Sequence, residues 1–215
     1  MNRRRFLLSS ALAAPFSARA QSLPLVGWMH IGLASANVRN IEGFQAGLAD
    51  AGFVAGRNVR VDYRWADNRY EALDEMAAEF VARKVTVIAA IGSSAVMPAR
   101  RATSTIPIVF TSAEDPVEAG LVTRFNRPSE NVTGITYFSG LMGPKLLELT
   151  SEIIPGSTPL AVLVNPRAAP TAAEVRQFHA AGEALRRRVL VLAAVTEDEI
   201  ETAFRLASGE GAGAM

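Results

Sequence analysis

The chain has 215 residues, with 22 basic and 21 acidic side chains and no cysteine. Without thiols it has no disulfide, no thiolate metal site and no cysteine nucleophile. Four of the basic residues (Arg3, Arg4, Arg5 and Arg19) fall within positions 1–20, leaving 18 bases against 21 acids beyond them, a formal charge of −3; a nucleic-acid partner therefore loses its main electrostatic warrant.

The opening MNRRRFLLSSALAAPFSARA has a basic start, a short apolar run and Ala18-Arg19-Ala20 before Gln21. That is the pattern of a cleavable export signal over residues 1–20. The run from Phe6 to Phe16 is shorter than the ~20 apolar residues needed to span a bilayer. Arg3-Arg4-Arg5-Phe6-Leu7 fits the twin-arginine pattern, and a general secretory signal with three arginines fits as well, so both routes stay open. The expected mature protein is periplasmic, with no direct membrane anchor, since no cysteine follows the signal to carry a lipid.

Beyond the signal, strand and helix patterns alternate with short connections. LVGWMH (25–30) is an apolar strand, followed by a helical stripe of Val38, Ile41, Phe44 and Leu48 with Gly52 as its C-terminal stop. NVRVDYRW (58–65) alternates Val59, Val61, Tyr63 and Trp65 as a strand. Leu73, Met76, Phe80 and Val81 mark a second helix, and VTVIAAI (85–91) is a buried strand. A helix from about Ser94 to Thr103 leads to the strand IPIVFT, Asp115-Pro116-Val117-Glu118 has the residues of a helix start, and VTGITYF (132–138) is a fifth strand. A second set follows: a helix through Leu146, Leu149 and Ile153, the strand LAVLVN (160–165), a helix through Val175, Phe178, Gly182 and Leu185, and the strand VLVLAAV (189–195). Thr196-x-x-Glu199 is a capping box opening a last helix through Ile200, Phe204 and Leu206.

Continuous apolar strands alternating with helices predict an α/β protein whose parallel sheets are covered on both faces. The expected organisation is an N-terminal lobe over 21–138, a partial second lobe over 139–207, and a glycine-alanine tail, 208–215, with no packing pattern. Two strands are few for an independent sheet.

Parallel sheets hold ligands at the carboxyl ends of their strands, near the point where strand order reverses. That selects His30 after the first strand, Gly92-Ser93-Ser94 after the third, Thr111 to Asp115 after the fourth, and Asn165 after LAVLVN. Free N–H groups and two hydroxyls at Gly92-Ser93-Ser94 suit an anion, although a serine there can equally cap the helix. Asp115 can face a ligand or cap the helix that Pro116 opens. Thr111 and Ser112 sit at the strand end itself, and Ser112 is favoured as a contact. Asn165 either reaches a ligand held between the lobes or forms an Asn-Pro turn. One histidine outside a helix stripe and no cysteine are a poor start for a triad or a zinc site. No nucleophile elbow, phosphate loop or dinucleotide turn occurs either. Binding is expected, with no catalytic residue, cofactor or metal.

The stretches GFVAGRNVRVDYRWADN, TIPIVFTSAEDPVEAGLV, RPSENVTGITYF and KLLELTSEIIPGSTPLAVLVNP resemble the ABC-transporter substrate-binding proteins of the branch similar to tryptophan/tyrosine transport binding proteins. The resemblance runs from about Pro24 to Leu206. It implies a type I periplasmic binding protein, with two α/β lobes and a small-molecule ligand in the cleft between them. That cleft would be lined by loops matching Gly92 to Ser94, Thr111 to Asp115 and Asn165, and the partner would be the membrane permease of an ABC importer. Relatives continue well past the point matching Leu206, so the resemblance also implies a C-terminally truncated chain with an incomplete second lobe. The readings that compete with solute capture are a ligand-sensing domain of the same fold and a non-functional truncated paralogue. An exported hydrolase or racemase using His30, Ser93 or Ser112 is disfavoured, because no base is placed beside a nucleophile.

Overall fold

The computed structural model describes residues 23–126, 131–139, 142–154, 156–168 and 171–215. The expected export signal lies outside them. The first unit runs β1 (Leu25–His30), α1 (Val38–Asp50), β2 (Arg60–Trp65), α2 (Ala72–Ala82), β3 (Val87–Ile91), α3 (Ser93–Ala102), β4 (Ile108–Ser112) and β5 (Val132–Thr136). Its five strands form one parallel sheet ordered β2-β1-β3-β4-β5.

Register decides which side chains share a face. Trp28 lies opposite Tyr63 and Ala89, and His30 opposite Trp65 and Ile91, so these residues project to one side. There Val26, Trp28, Val59 and Ala89 are buried with Phe44 of α1, Tyr63 and Trp65 packed around them. The other face is larger and drier. Met29, Ile88, Ala90, Ile108, Phe110 and Val132 meet Leu73, Ala77 and Phe80 of α2 and Ala95, Val96 and Ala99 of α3. On the α1 side, Val109 of β4 is 42% exposed and Ile135 of β5 is 69% exposed. Helical cover on that face is thus confined to β1 and β2.

Most expected elements form within a residue or two of their sequence limits. α1 closes at Gly52 through paired backbone bonds, Gly52 N–H to the Ala49 carbonyl and Phe53 N–H to the Leu48 carbonyl. One expected element does not form. Residues 116–120 make a turn rather than a helix. Its bonds are Ala119 N–H to the Asp115 carbonyl and Leu121 and Val122 N–H to the Pro116 carbonyl. Gly120, at φ 66°, reverses the chain after this single turn, so the cap at Asp115 has no helix to continue into.

The second unit runs α4 (Met142–Ile153), β6 (Leu160–Val164), α5 (Thr171–Leu185), β7 (Val189–Ala193) and α6 (Glu197–Gly209), with β6 and β7 parallel. Arg187, 9% exposed, holds its entry together. Its guanidinium donates to the carbonyls of Ser151 and Thr158 at 3.1 and 3.3 Å, to the Ser151 hydroxyl at 3.1 Å, and to the Ile154 and Gly156 carbonyls. These oxygens include ones the end of α4 leaves unbonded, and a cation there also suits the helix dipole. The capping box is present, with Glu199 N–H donating to Thr196 Oγ1 at 3.3 Å and Thr196 N–H to Glu199 Oε2 at 3.1 Å.

The stretch 208–215, expected as a tail without a packing pattern, instead returns to the sheet. α6 reaches Gly209, and Gly211 and Ala212 N–H close its end on the Ser208 and Ala207 carbonyls. Ala214 then pairs with Leu160 as a parallel bridge, supported by Ala161 N–H on the Ala214 carbonyl at 2.8 Å. Backbone groups alone make this contact, which is why no side-chain pattern announces it.

Candidate functional site

The strand order places β1 between β2 and β3, and the chain leaves those two neighbouring strand ends in opposite directions. From β1 it passes to α1 on one face, and from β3 to α3 on the other. The two connections part and leave a crevice. His30 ends β1 at one lip, and Gly92 follows β3 at the other.

His30 is held by its own loop and by two rings. The Gly32 N–H donates to Nδ1 at 2.8 Å. Trp28 stacks on the imidazole at 5.8 Å between centroids, and Trp65 meets it edge-on at 5.6 Å. A ring nitrogen that accepts carries no proton, so the neutral imidazole has its hydrogen on Nε2. Burial favours that neutral form and lowers the His30 pKa from its ordinary 6.5. Nε2 lies 4.0 Å from where a Cβ on Gly92 would stand, so this donor faces across the crevice. Gly92 itself has φ 84° and ψ 147°, a conformation other residues adopt only under strain. Its N–H donates to Thr111 Oγ1 at 3.0 Å, which ties the third and fourth strand ends together.

A cavity of about 490 Å³ opens at this point, lined by Trp28, His30, Arg39, Asn40, Gly43, Phe44, Ile91, Gly92, Thr111 and Tyr137. Of the residues expected at the site, it brings together His30, Gly92 and Thr111. The others are placed differently. Ser93 Oγ accepts the Ala113 N–H at 3.3 Å. Ser94 sits half-buried in the first turn of α3, outside the cavity lining. Ser112, favoured as a contact, is fully buried and its hydroxyl donates to the Glu114 carbonyl at 3.1 Å. It lies on the α3 face and supports the strand end from below. Asp115 accepts the Val117 and Glu118 N–H groups at 2.7 and 3.2 Å, the capping alternative. Asn165 accepts the Arg167 N–H at 3.0 Å, the turn alternative, and is exposed.

Arg39, Asn40, Phe44, Trp28 and Tyr137 were not anticipated. Arg39 with Gly43, and Asn40 with Phe44, lie four apart and share one face of α1, the signal from which they were recoverable. Trp28 is 1% exposed, and its indole N–H has no acceptor among the described residues. Arg39 makes no hydrogen bond or ion pair among them either. No acid among the described residues lines this cavity. Glu174 lies elsewhere, on α5; burial and then the charge of Glu114 raise its pKa. Among the described residues no group of three or more His, Cys, Asp or Glu could hold a metal ion, and no helix is long and apolar enough to cross a membrane.

Residues 34–215 match the family described as ABC transporter substrate binding protein, and the chain belongs to that family. It is 33% identical over 138 residues to a tyrosine-binding protein of Clostridioides difficile (strain R20291), an alignment covering 64% of this chain and 39% of that protein. A conserved domain protein of Vibrio cholerae superposes with a TM-score of 0.77 at 26% identity, over 87% of this chain and 63% of that one. The ABC domain of Streptococcus pneumonia in complex with L-Trp has a TM-score of 0.73 at 21% identity, with the same coverage. The chain thus spans less than two thirds of the length of these relatives. The fold is that of type I periplasmic binding proteins, represented by one lobe and part of a second.

The His30 environment makes stability depend on pH. Unfolded, His30 takes up a proton as pH falls through 6.5, while the folded ring does so only at lower pH. The unfolded chain therefore binds more protons in that window, and stability falls with it until pH passes the folded value. Urea midpoints measured from about pH 7.5 down to 5.5 should decline, and His30→Gln should flatten the decline. An unchanged slope in the variant would show that His30 is not the titrating group.

Proposed function

We propose that the chain acts as the solute-binding component of an ABC importer, taking up a small molecule at the end of the first sheet and presenting it to a membrane permease. The observation that carries this reading is the cavity at the strand-order reversal, lined by His30 and Arg39, in a chain of a substrate-binding family. The relatives' names, one a tyrosine-binding protein and another solved with L-Trp, make amino acids and related small molecules the first class to test. Contacts from the second unit would then stabilise a closed form by hinge motion. The bonds of Ser93, Ser112 and His30 support a binding role over catalysis, since each is engaged with a backbone group rather than with another of the three.

The proposed location is the periplasm, reached through the signal at 1–20. Mass measurement of the exported protein should give an amino terminus at Gln21. Replacing Arg3 and Arg4 by Lys should block export if the twin-arginine route is used, and unimpaired export assigns the general secretory route.

Solute capture is tested by a thermal-shift screen of the purified protein against amino acids and small carboxylates. At a ligand concentration 100 times Kd, binding should add about 2.7 kcal/mol of stability. Thr111→Val should weaken the response to any hit, because it unties Gly92 from the fourth strand. A library that leaves the melting temperature unmoved would refute the reading. A ligand response with no import defect in a deletion strain would favour the sensing role instead.

A further inference from the structure

We infer, building on the solute-binding reading, that the preferred solute is an organic carboxylate with a flat apolar body and no ammonium group, held by Arg39 and the His30 Nε2–H against Trp28 and Phe44. Among the described lining residues the one charged group is a cation, Arg39, and His30 offers a further donor. Arg39 is exposed, unpaired among the described residues and positioned on the lining, and a guanidinium matches a carboxylate with two parallel bonds. His30 is fixed in the tautomer that donates from Nε2, because the Gly32 N–H already occupies Nδ1. Trp28 forms a wall of the cavity and keeps a buried indole N–H without an acceptor. A buried donor without a partner destabilises a structure, and an acceptor supplied from outside relieves it.

Among the described residues the opposite charge is not provided for. None of their Asp or Glu side chains lines the cavity, and the side-chain acceptor there beyond hydroxyls is the Asn40 amide oxygen, the nitrogen donating to Asn37 Oδ1. An ammonium entering this wall would lose its water without gaining a counter-charge. The rest of the lining is flat and apolar: Trp28, Phe44, Ile91 and the Tyr137 ring. A volume of about 490 Å³ suits a single-ring solute with room to spare.

Three probes share one ring and differ at the charged end: 4-hydroxyphenylacetate (acid only), tyrosine (acid and ammonium) and tyramine (ammonium only). Titration calorimetry on the full chain should show the acid binding about tenfold or more tighter than tyrosine, with no heat from tyramine. Arg39→Gln should weaken the acid by about tenfold or more, with Arg39→Lys intermediate. Arg39 is exposed and unpartnered, so circular dichroism should show both variants folded as the parent. Tighter binding of tyrosine or tyramine, or an acid affinity indifferent to Arg39→Gln, would overturn this inference while leaving solute capture standing. Silence from all three probes and from the wider solute library would overturn both.

Discussion

The cavity depends on one topological constraint: β1 lies between β2 and β3, so the connections leaving the neighbouring carboxyl ends of β1 and β3 run to opposite faces of the sheet. Helices cannot fill the gap this leaves, because one covers each face. His30 and Gly92 are the residues at its two lips, and their properties follow from it. The ring of His30 is wedged between two tryptophans because register places Trp28 and Trp65 on its face. Gly92 adopts a backbone angle closed to other residues because the chain must turn sharply there to start α3 beside Thr111.

Around this gap, polar groups divide into those already satisfied and those left over. Ser112, Asp115 and Asn165 bond to peptide groups within their own strand-end loops, and Ser93 accepts from Ala113 across to the next strand end. Such bonds hold the loops in shape. Arg39, the Nε2–H of His30 and the Trp28 indole remain without partners among the described residues. A solute of the proposed kind would meet these groups on loops that are already fixed. The thin cover on the α1 side matters here too, since the cavity lies beside the first two turns of α1, and the sheet face continues bare toward Val109 and Ile135.

Much of the fold was legible because apolar runs and caps report local structure. The strands, the stop at Gly52 and the Thr196–Glu199 box all rest on short-range chemistry, and the structure keeps them. The helix after Pro116 was misjudged because its cap residues are present while Gly120 ends the turn. The return of Ala214 to Leu160 was invisible, as a glycine-alanine stretch pairs through its backbone. Of the residues expected at the site, His30, Gly92 and Thr111 line the cavity, since each lies within one residue of a strand end. Arg39 and Phe44 were not among them because their position depends on how α1 lies on the sheet, and Trp28 reads as ordinary core until its unpartnered N–H is seen.

The chain has two tryptophans, Trp28 and Trp65, with ring centroids 4.4 Å apart beside the cavity. Tryptophan emission therefore reports on this place. Titrating any solute that raises the melting temperature should change tryptophan emission with the same midpoint as binding measured by calorimetry, because the guest meets the Trp28 wall. A solute that stabilises the protein while leaving the emission untouched would place its site elsewhere and contradict the account.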